Sequence, residues 1–447
     1  MNDLGRLHRG PVITPDDRRF DAARRTFNAS IEARPAVISR PVDSRDVAAA
    51  IAFARAHDLP VSVRGGGHSV AGHSVGEGSV MVDLRLLREV DVGPVARTAT
   101  VGGGACWNDV DAPSQSFGLA MPGGTYGDTG VAGLTLTGGI GHLTGAYGLS
   151  LDNLLSAEVV TADGRVIRAN RDDEPELFWA LRGGGGNFGV VTEFVFQLHE
   201  VPLMTGGFLI HRLQDAPEAL RAFARMRDDM PSALTLMPQL LPSAGLIEAD
   251  HVLLTSVAFL GAADRASEVL APLRSPRPLF DNVGPAYYSQ LQALYPYMPF
   301  GLRNYWTGRF IDDLSDDLID FMVEHLAGAP AAGYGGILFE PLHGAVSEVH
   351  PSATAFAFRS ARFNVSPMAV WEDPADDEGQ LACAAAARDR LQPLSRGGYL
   401  NYATDDSEET VEGSFGSENF RRLRSIKATW DPDNVFRFNH NIAPAPD

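Results

Sequence analysis

The spacing of apolar and polar positions changes character along the chain. From Arg40 to about Val201, short stretches of helical and strand rhythm alternate. In PVDSRDVAAAIAFARAHDLP (41–60) apolar residues recur at helical spacing behind Asp43 and Ser44, either of which can serve as N-cap. LPVSVRGGG (59–67), SVMVDLRLL (79–87) and RTATVGGGACW (97–107) each predict a strand, the last followed by an amphipathic stretch through Phe117. LLSAEVVTADGRVIRA (154–169) predicts a hairpin turning at Asp163-Gly164, DEPELFWALRG (173–183) a helix, and NFGVVTEFVFQLHEV (187–201) a strand of clear alternation.

Beyond Pro202 the alternating segments lengthen, as in HVLLTSVAFLGA (251–262) and ATAFAFRSARF (353–363), and mix with helices such as SDDLIDFMVEHLAG (315–328). This predicts an antiparallel sheet with helices packed on it, an α+β arrangement. From Gly398 the chain is richer in aromatics, Asn and charge, and it ends in a helix, ENFRRLRSIKATW (418–430), followed by DPDNVFRFNHNIAP (431–444).

At 447 residues the chain is too long for one core, so at least two domains are expected. A net charge of −19 disfavours nucleic acid and anionic membrane as partners. No apolar run approaches the roughly 18 residues of a membrane helix, and the N-terminus lacks the apolar stretch of a secretory signal, so a cytoplasmic protein is expected. Only Cys106 and Cys383 occur, neither in a metal-ligand spacing, which points away from zinc and from a disulfide framework.

Glycine, at 46 residues, is the unusual component, and its clusters fall in the first half. RGGGHS (64–69) has neither a Walker nor a Rossmann spacing. It fits a tight turn with a surface imidazole as well as a backbone cradle for an anion such as pyrophosphate. Two further stretches, 123–154 and 182–194, favour a long cofactor lying in a groove of backbone.

The order RGGGHS, PGGTYGDTGVAGLTLTGGIG, YGLSLDNLLSAEVVTADGRV and LFWALRGGGGNFGVVTEF resembles FAD-linked oxidases of the vanillyl-alcohol-oxidase (PCMH) type. GGYLNYATDD (397–406) and FGSENFRRLRSIKATWDPDNVFRFNHNIAP (415–444) are similar to the C-terminal pattern of the berberine-bridge-enzyme-like branch. The resemblance spans nearly the whole chain. It implies a two-domain fold: residues 1–202 bind FAD, 203–397 form an antiparallel-sheet substrate domain covered by helices, and 398–447 return to the FAD-binding domain.

What the resemblance implies for the site is specific. His68 is the residue that bonds covalently to the flavin 8α-methyl, with Arg64, Gly65, Gly66, Gly67 and Ser69 around it. Gly124, Thr125, Tyr126, Asp128, Gly130, Gly133, Gly138, Gly139, Gly141, His142, Gly189, Val190, Val191, Asn401, Asn439 and Asn441 complete the cofactor set. Many relatives add a cysteinyl link at the position of Tyr126, so a single link is expected here, with Cys106 a packed core thiol and His73 an ordinary loop residue near the cofactor. Thr129 stands where oxygen access is controlled, and its small side chain favours an oxidase.

Tyr402 is implied as the base or hydrogen-bond partner nearest the substrate, with Tyr399 beside it. A phenol serves as a base only where a neighbour stabilises the phenolate, and Asn401 and Asp405 are the candidates. FRSARFNVSPMAVW (358–371) is expected to face the flavin. Its Asn364 and Ser366 are short and neutral where relatives carry longer polar groups, which leaves Tyr402 alone or direct hydride transfer. YYSQLQALYPYMPF (287–300) is expected to line or cover the pocket.

The expected activity is oxidation of a C–H next to N or O in a small organic substrate, with O2 reduced to H2O2 and neither a metal nor nicotinamide required. A flavin-dependent oxygenase or oxidative cyclase of secondary metabolism, and a flavin-bearing drug-binding resistance protein, are the alternatives.

Overall fold

Asp43, rather than Ser44, caps the first long helix: its carboxylate accepts from the Arg45 and Asp46 N–H groups, and the helix runs Ser44–Ala56. This helix is the crossover that parallel pairing demands, joining strand Val37–Ser39 to Val61–Arg64. Both strands pair in parallel with Val80–Asp83, and Val12–Ile13 completes a four-stranded sheet. The computed structural model describes residues 4–243, 250–294, 300–330, 333 and 335–446.

A second, five-stranded sheet is antiparallel, in the order Val90–Gly93, Thr98–Gly102, Val190–Gln197, Leu154–Val160 and Val166–Asn170. The expected hairpin turns at Gly164, whose φ of +83° suits glycine. Phe194 and Phe196 of this sheet share one buried cluster with Leu177 and Trp179 of helix Pro175–Leu181. Phe420, Leu423 and Ile426 of helix Ser417–Trp430 belong to the same cluster, so the end of the chain packs with residues 99–198.

The third sheet has ten strands, and its long central members are antiparallel. Strand alternation divides it cleanly. In Leu234–Pro242, Gly336–Pro341 and Phe363–Trp371, the residues Leu236, Leu240, Ile337, Phe339, Phe363 and Val365 face helices Ala216–Met226 and Asp316–Ala327. Cross-strand register puts Gln239 opposite Leu338 opposite Ser366, and Glu340 opposite Asn364, on the other face. That face meets the glycine loops of the first half of the chain.

One expectation differs, and another falls partly outside the described residues. ATAFAFRSARF does not form a strand until Phe363; residues 354–362 run as an irregular strap between a turn at Pro351–Ala353 and strand Phe363–Trp371. Ala355, Phe356 and Ala361 of the strap are buried, and Arg359 clamps it: 1% exposed in its side chain, it forms a bidentate pair with Asp152 at 2.6 and 2.9 Å and also donates to Thr354 Oγ1. In 287–300, a helix spans Tyr288–Gln292, and positions 295–299 lie outside the described residues. No helix among the described residues is long and apolar enough to cross a membrane.

Arg359→Met leaves the Asp152 carboxylate without its partner in a largely dry setting, and should cost about 3–5 kcal/mol of stability. Denaturant unfolding of the two proteins measures it, and a loss below about 1 kcal/mol would mean that the pair is in effect solvated.

Candidate active site

Three glycine-rich segments meet to form the floor of one long groove. Gly65–Gly67 follow strand Val61–Arg64, Gly130 and Gly133 begin helix Val131–Thr137, and Gly184–Gly186 follow helix Pro175–Leu181. Gly66 and Gly130 touch backbone to backbone: a Cβ on Gly66 would lie 2.5 Å from Gly130 Cα, and one on Gly130 would lie 2.4 Å from Gly66 N. Any larger residue at either position would wedge the floor open. A surface of exposed peptide groups suits a long, polyanionic, hydrogen-bonding molecule. The buried Asn439 Oδ1 on the same wall has no partner among the described residues and is available to such a ligand.

His68 closes the first of these turns. Phe27 stacks on its imidazole at 4.7 Å and 18°, while Phe300 meets it edge-on at 5.1 Å. Asp128 Oδ2 stands 3.5 Å from Nε2. A carboxylate there favours the tautomer that keeps the proton on Nε2, which leaves the lone pair on Nδ1. Ser69, Thr125, Tyr126, Thr129, Gly189, Val190, Val191 and Asn401 line the groove with it. His73 is also on the wall, paired with Asp406 at 3.1 Å and edge-on to His440 at 4.6 Å.

Over this floor lies the face of the large sheet turned away from its helices. Met237, Leu338, Met368 and Trp306 form a mostly apolar ceiling, with Gln239 among them. The Trp306 indole N–H is already given to Asn304. Tyr402 lines the groove and donates to Glu340 Oε1 at 3.1 Å. Asn364 Nδ2 donates to Glu340 Oε2 at 2.6 Å and also contacts Ser366 Oγ. Glu340 is fully buried, and that burial pushes its carboxyl up to about 7 against the opposing pull of the Asn364 and Tyr402 hydrogen bonds. A carboxyl that titrates near neutrality beside a groove can take up a proton at working pH.

Glu340 was not singled out from the sequence. The signal lay in GILFEP: alternation sends Ile337 and Phe339 into the helical core and therefore Leu338 and Glu340 toward the groove. An acidic residue at such a position is costly unless used.

Several sequence expectations for individual residues are corrected by the geometry. Arg64 does not face the groove. Its guanidinium caps the helix Phe20–Arg24, donating to the carbonyls of Ala23, Arg24 and Arg25. Tyr399 is 1% exposed, and its phenol oxygen accepts from the Gly139 and Ile140 N–H groups and from Asn401 Nδ2, so it holds the 138–140 turn in place and is not part of the groove wall. Gly138, Gly139 and Gly141 are accordingly packed against Tyr399, Ser150 and Gly123, behind the groove wall. His142 is buried against Gln292, and Asn441 is likewise off the wall. Asn364 acts on Glu340 and does not reach the groove itself.

Neither candidate neighbour of Tyr402 is placed to stabilise a phenolate. Asn401 is engaged with Tyr399, and Asp405 with Ser407 and Thr410. Burial, and then the Glu340 carboxylate, push the Tyr402 phenol well above its ordinary range. Cys106 sits at the N-cap of helix Trp107–Gln115, off the groove, with its thiol pushed up to about 11 by burial.

The far end of the groove is laced shut by one lysine. Lys427, with no exposed surface, donates to Asn187 O at 2.7 Å, Asp431 Oδ2 at 2.7 Å and Phe436 O at 2.9 Å. Asp431 in turn accepts from the Val435 and Phe436 N–H groups. Asn187 accepts from Ile442 N–H and donates to the His440 carbonyl. The segment bearing Phe436, Phe438, Asn439 and His440 is thereby fixed against Gly184–Gly186, and both line the groove.

Residues 35–170 match the family model described as "FAD binding domain", and residues 398–443 match the one described as "Berberine and berberine like". The chain is 33% identical over 459 residues to (R)-6-hydroxynicotine oxidase of Paenarthrobacter nicotinovorans, covering 97% of each protein. The crystal structure of 6-hydroxy-D-nicotine oxidase from Arthrobacter nicotinovorans is similar with a TM-score of 0.87 at 30% identity, over 98% of both chains. Glucooligosaccharide oxidase from Acremonium strictum, described with a 6-S-cysteinyl, 8α-N1-histidyl FAD, has a TM-score of 0.87 at 25% identity over 99% of both chains.

Lys427→Met strands the buried Asp431 carboxylate and frees the carbonyls of Asn187 and Phe436. We expect about 3–5 kcal/mol of destabilisation and a fall in FAD bound per chain in the protein that remains folded. Full FAD occupancy in that variant would show that the lacing does not serve the cofactor.

Proposed function

The chain belongs to the FAD-linked oxidases of the PCMH, berberine-bridge-like type, and within that family we propose that it is a covalently flavinylated oxidase of a small, largely apolar amine. Bound FAD supplies a two-electron acceptor that takes a hydride from the substrate carbon and is restored by O2 with release of H2O2. His68, held by Phe27 and with Nε2 beside Asp128, is the attachment residue through Nδ1. A single link is proposed, since the aligned loop offers Tyr126 and Cys106 lies off the groove. Thr129 leaves room for O2 at the flavin.

The contact from Tyr402 to Glu340 carries the reading. An amine is mostly ammonium near neutrality, and it must give up that extra proton so that the nitrogen lone pair can form the C=N bond as hydride leaves the carbon. Tyr402 takes that proton on its oxygen while passing its own to Glu340 Oε1, so the phenol need never ionise. Asn364 holds the carboxylate in place and is itself held by the Ser366 hydroxyl. The amine is favoured over a sugar because Met237, Leu338, Met368 and Trp306 offer few hydrogen-bonding groups to a polyhydroxylated ligand. An oxygenase is separated from this reading by ¹⁸O2: an oxidase places the label in peroxide, an oxygenase in the organic product.

Glu340→Gln should slow anaerobic flavin reduction by about 10²-fold or more and abolish a rise in rate with pH whose midpoint lies near 7. Stability should move the other way. The folded chain holds the Glu340 proton up to about 7, while the unfolded chain releases it near 4.5. The contribution of this group is therefore full below about 4.5 and lost as pH rises through about 7. The neutral glutamine should make the protein more stable than wild type above pH 7 and equal to it in acid. Wild-type reduction kinetics with an unchanged pH profile in Glu340→Gln would remove Glu340 from the reaction.

A further inference from the structure

Gln292 is 2% exposed at the end of helix Tyr288–Gln292, on the substrate side of the molecule, yet its amide is spent entirely on the cofactor side. Nε2 donates to the Gly124 carbonyl at 2.6 Å and to Asp111 Oδ2 at 3.3 Å, and Oε1 pairs with His142 Nδ1 at 2.8 Å. The amide orientation is fixed by chemistry: a carbonyl only accepts, so the nitrogen must face Gly124. His142 Nδ1 must then carry the proton it gives to Oε1. Burial holds His142 neutral, pushing its pKa down to about 4, so this arrangement persists across the working range.

Gly124 belongs to an irregular stretch, so no ladder fixes the orientation of its peptide planes. In a trans peptide the C=O and the following N–H point in opposite directions, and the only cis bond among the described residues is Ser275-Pro276. With the Gly124 carbonyl drawn back onto Gln292, the Thr125 N–H is turned the opposite way. Thr125 lines the groove, and among the described residues no group accepts from its N–H.

We propose that Gln292 is a positioning residue that locks the Gly124–Thr125 peptide plane, presenting the Thr125 N–H as a hydrogen-bond donor to the flavin. This deepens the reading of the same site and rests on FAD occupying the groove. A fixed donor at the flavin ring favours the electron-rich reduced form and so raises its potential. Because the lock comes from the substrate-side helix, the seating of that helix and the readiness of the flavin to accept hydride are mechanically joined. Asp111 and His142 brace the glutamine, which accounts for the three buried polar groups gathered behind Gly124.

The test compares Gln292→Leu with wild type and with Ser289→Ala, a neighbour on the same helix. Gln292→Leu should keep wild-type FAD per chain but show a displaced flavin absorption band, a lower reduction potential, and about 10-fold slower flavin reduction at saturating substrate with KM changed less than about 3-fold. Ser289→Ala should match wild type in all four. A Gln292→Leu protein whose band and potential are those of wild type, whatever its melting temperature, overturns the proposal and leaves Gln292 a packing residue. Should that variant not fold, hydrogen exchange at the Thr125 amide in wild type decides: slower exchange with FAD than in the FAD-free protein supports the donor, and equal exchange overturns it. A wild-type protein that purifies with no flavin at all is a different failure, since it refutes the reading of the groove beneath both.

Discussion

Everything at the site depends on two glycines being able to touch. Gly66 and Gly130 come from separate turns, and a Cβ on either would sit within 2.5 Å of the other's backbone. Their contact brings the turn ending in His68 and the turn carrying Thr129 into one surface, in which peptide groups take a large share. Such a surface suits a long cofactor that binds through hydrogen bonds to backbone. It also explains why the most flexible backbone of the chain runs directly into an imidazole: the glycines set the approach, and Phe27 and Asp128 set the ring.

The two sides of the groove are made by opposite means. The floor is backbone, and its shape is held from behind by buried polar groups: Arg64 on the carbonyls at the end of helix Phe20–Arg24, Tyr399 on the N–H groups of Gly139 and Ile140, and Lys427 on the carbonyls of Asn187 and Phe436. The ceiling is a sheet face of side chains, whose chemistry is concentrated in Glu340 and its partners Tyr402 and Asn364. A floor that binds by peptide groups is indifferent to substrate. A ceiling of side chains can be altered one residue at a time without disturbing cofactor binding, which is how one scaffold comes to serve many substrates.

Much of this was legible in the chain. The helix–strand rhythm before Val201, the hairpin at Gly164 and the closing helix Ser417–Trp430 all follow from periodicity and turn chemistry, because each is a local property. What the sequence concealed was long-range. ATAFAFRSARF alternates like a strand, but its burial comes from a clamp by Arg359 on Asp152, 207 residues away. Tyr399 and Tyr402 look alike as a pair three apart, yet one hydroxyl is used to hold a turn and the other, on a residue of the groove wall, is given to Glu340. Glu340 was encoded by simple alternation, but its role depended on which strand lay beside Asn364. Gln292 carries no signal in its own segment, since its meaning is entirely in Gly124.

The measurement that bears most directly on the account is the mass of the purified, acid-denatured protein, followed by a peptide map. The account predicts a mass greater than that of the 447-residue chain by a single FAD, with the whole increment on the peptide that contains His68, and none on the peptides holding Cys106 or Tyr126. Flavin that separates completely from the denatured chain, or an increment found on any other residue, would contradict it: the imidazole that Phe27 and Asp128 hold over the glycine floor would then not be the group that bonds the cofactor.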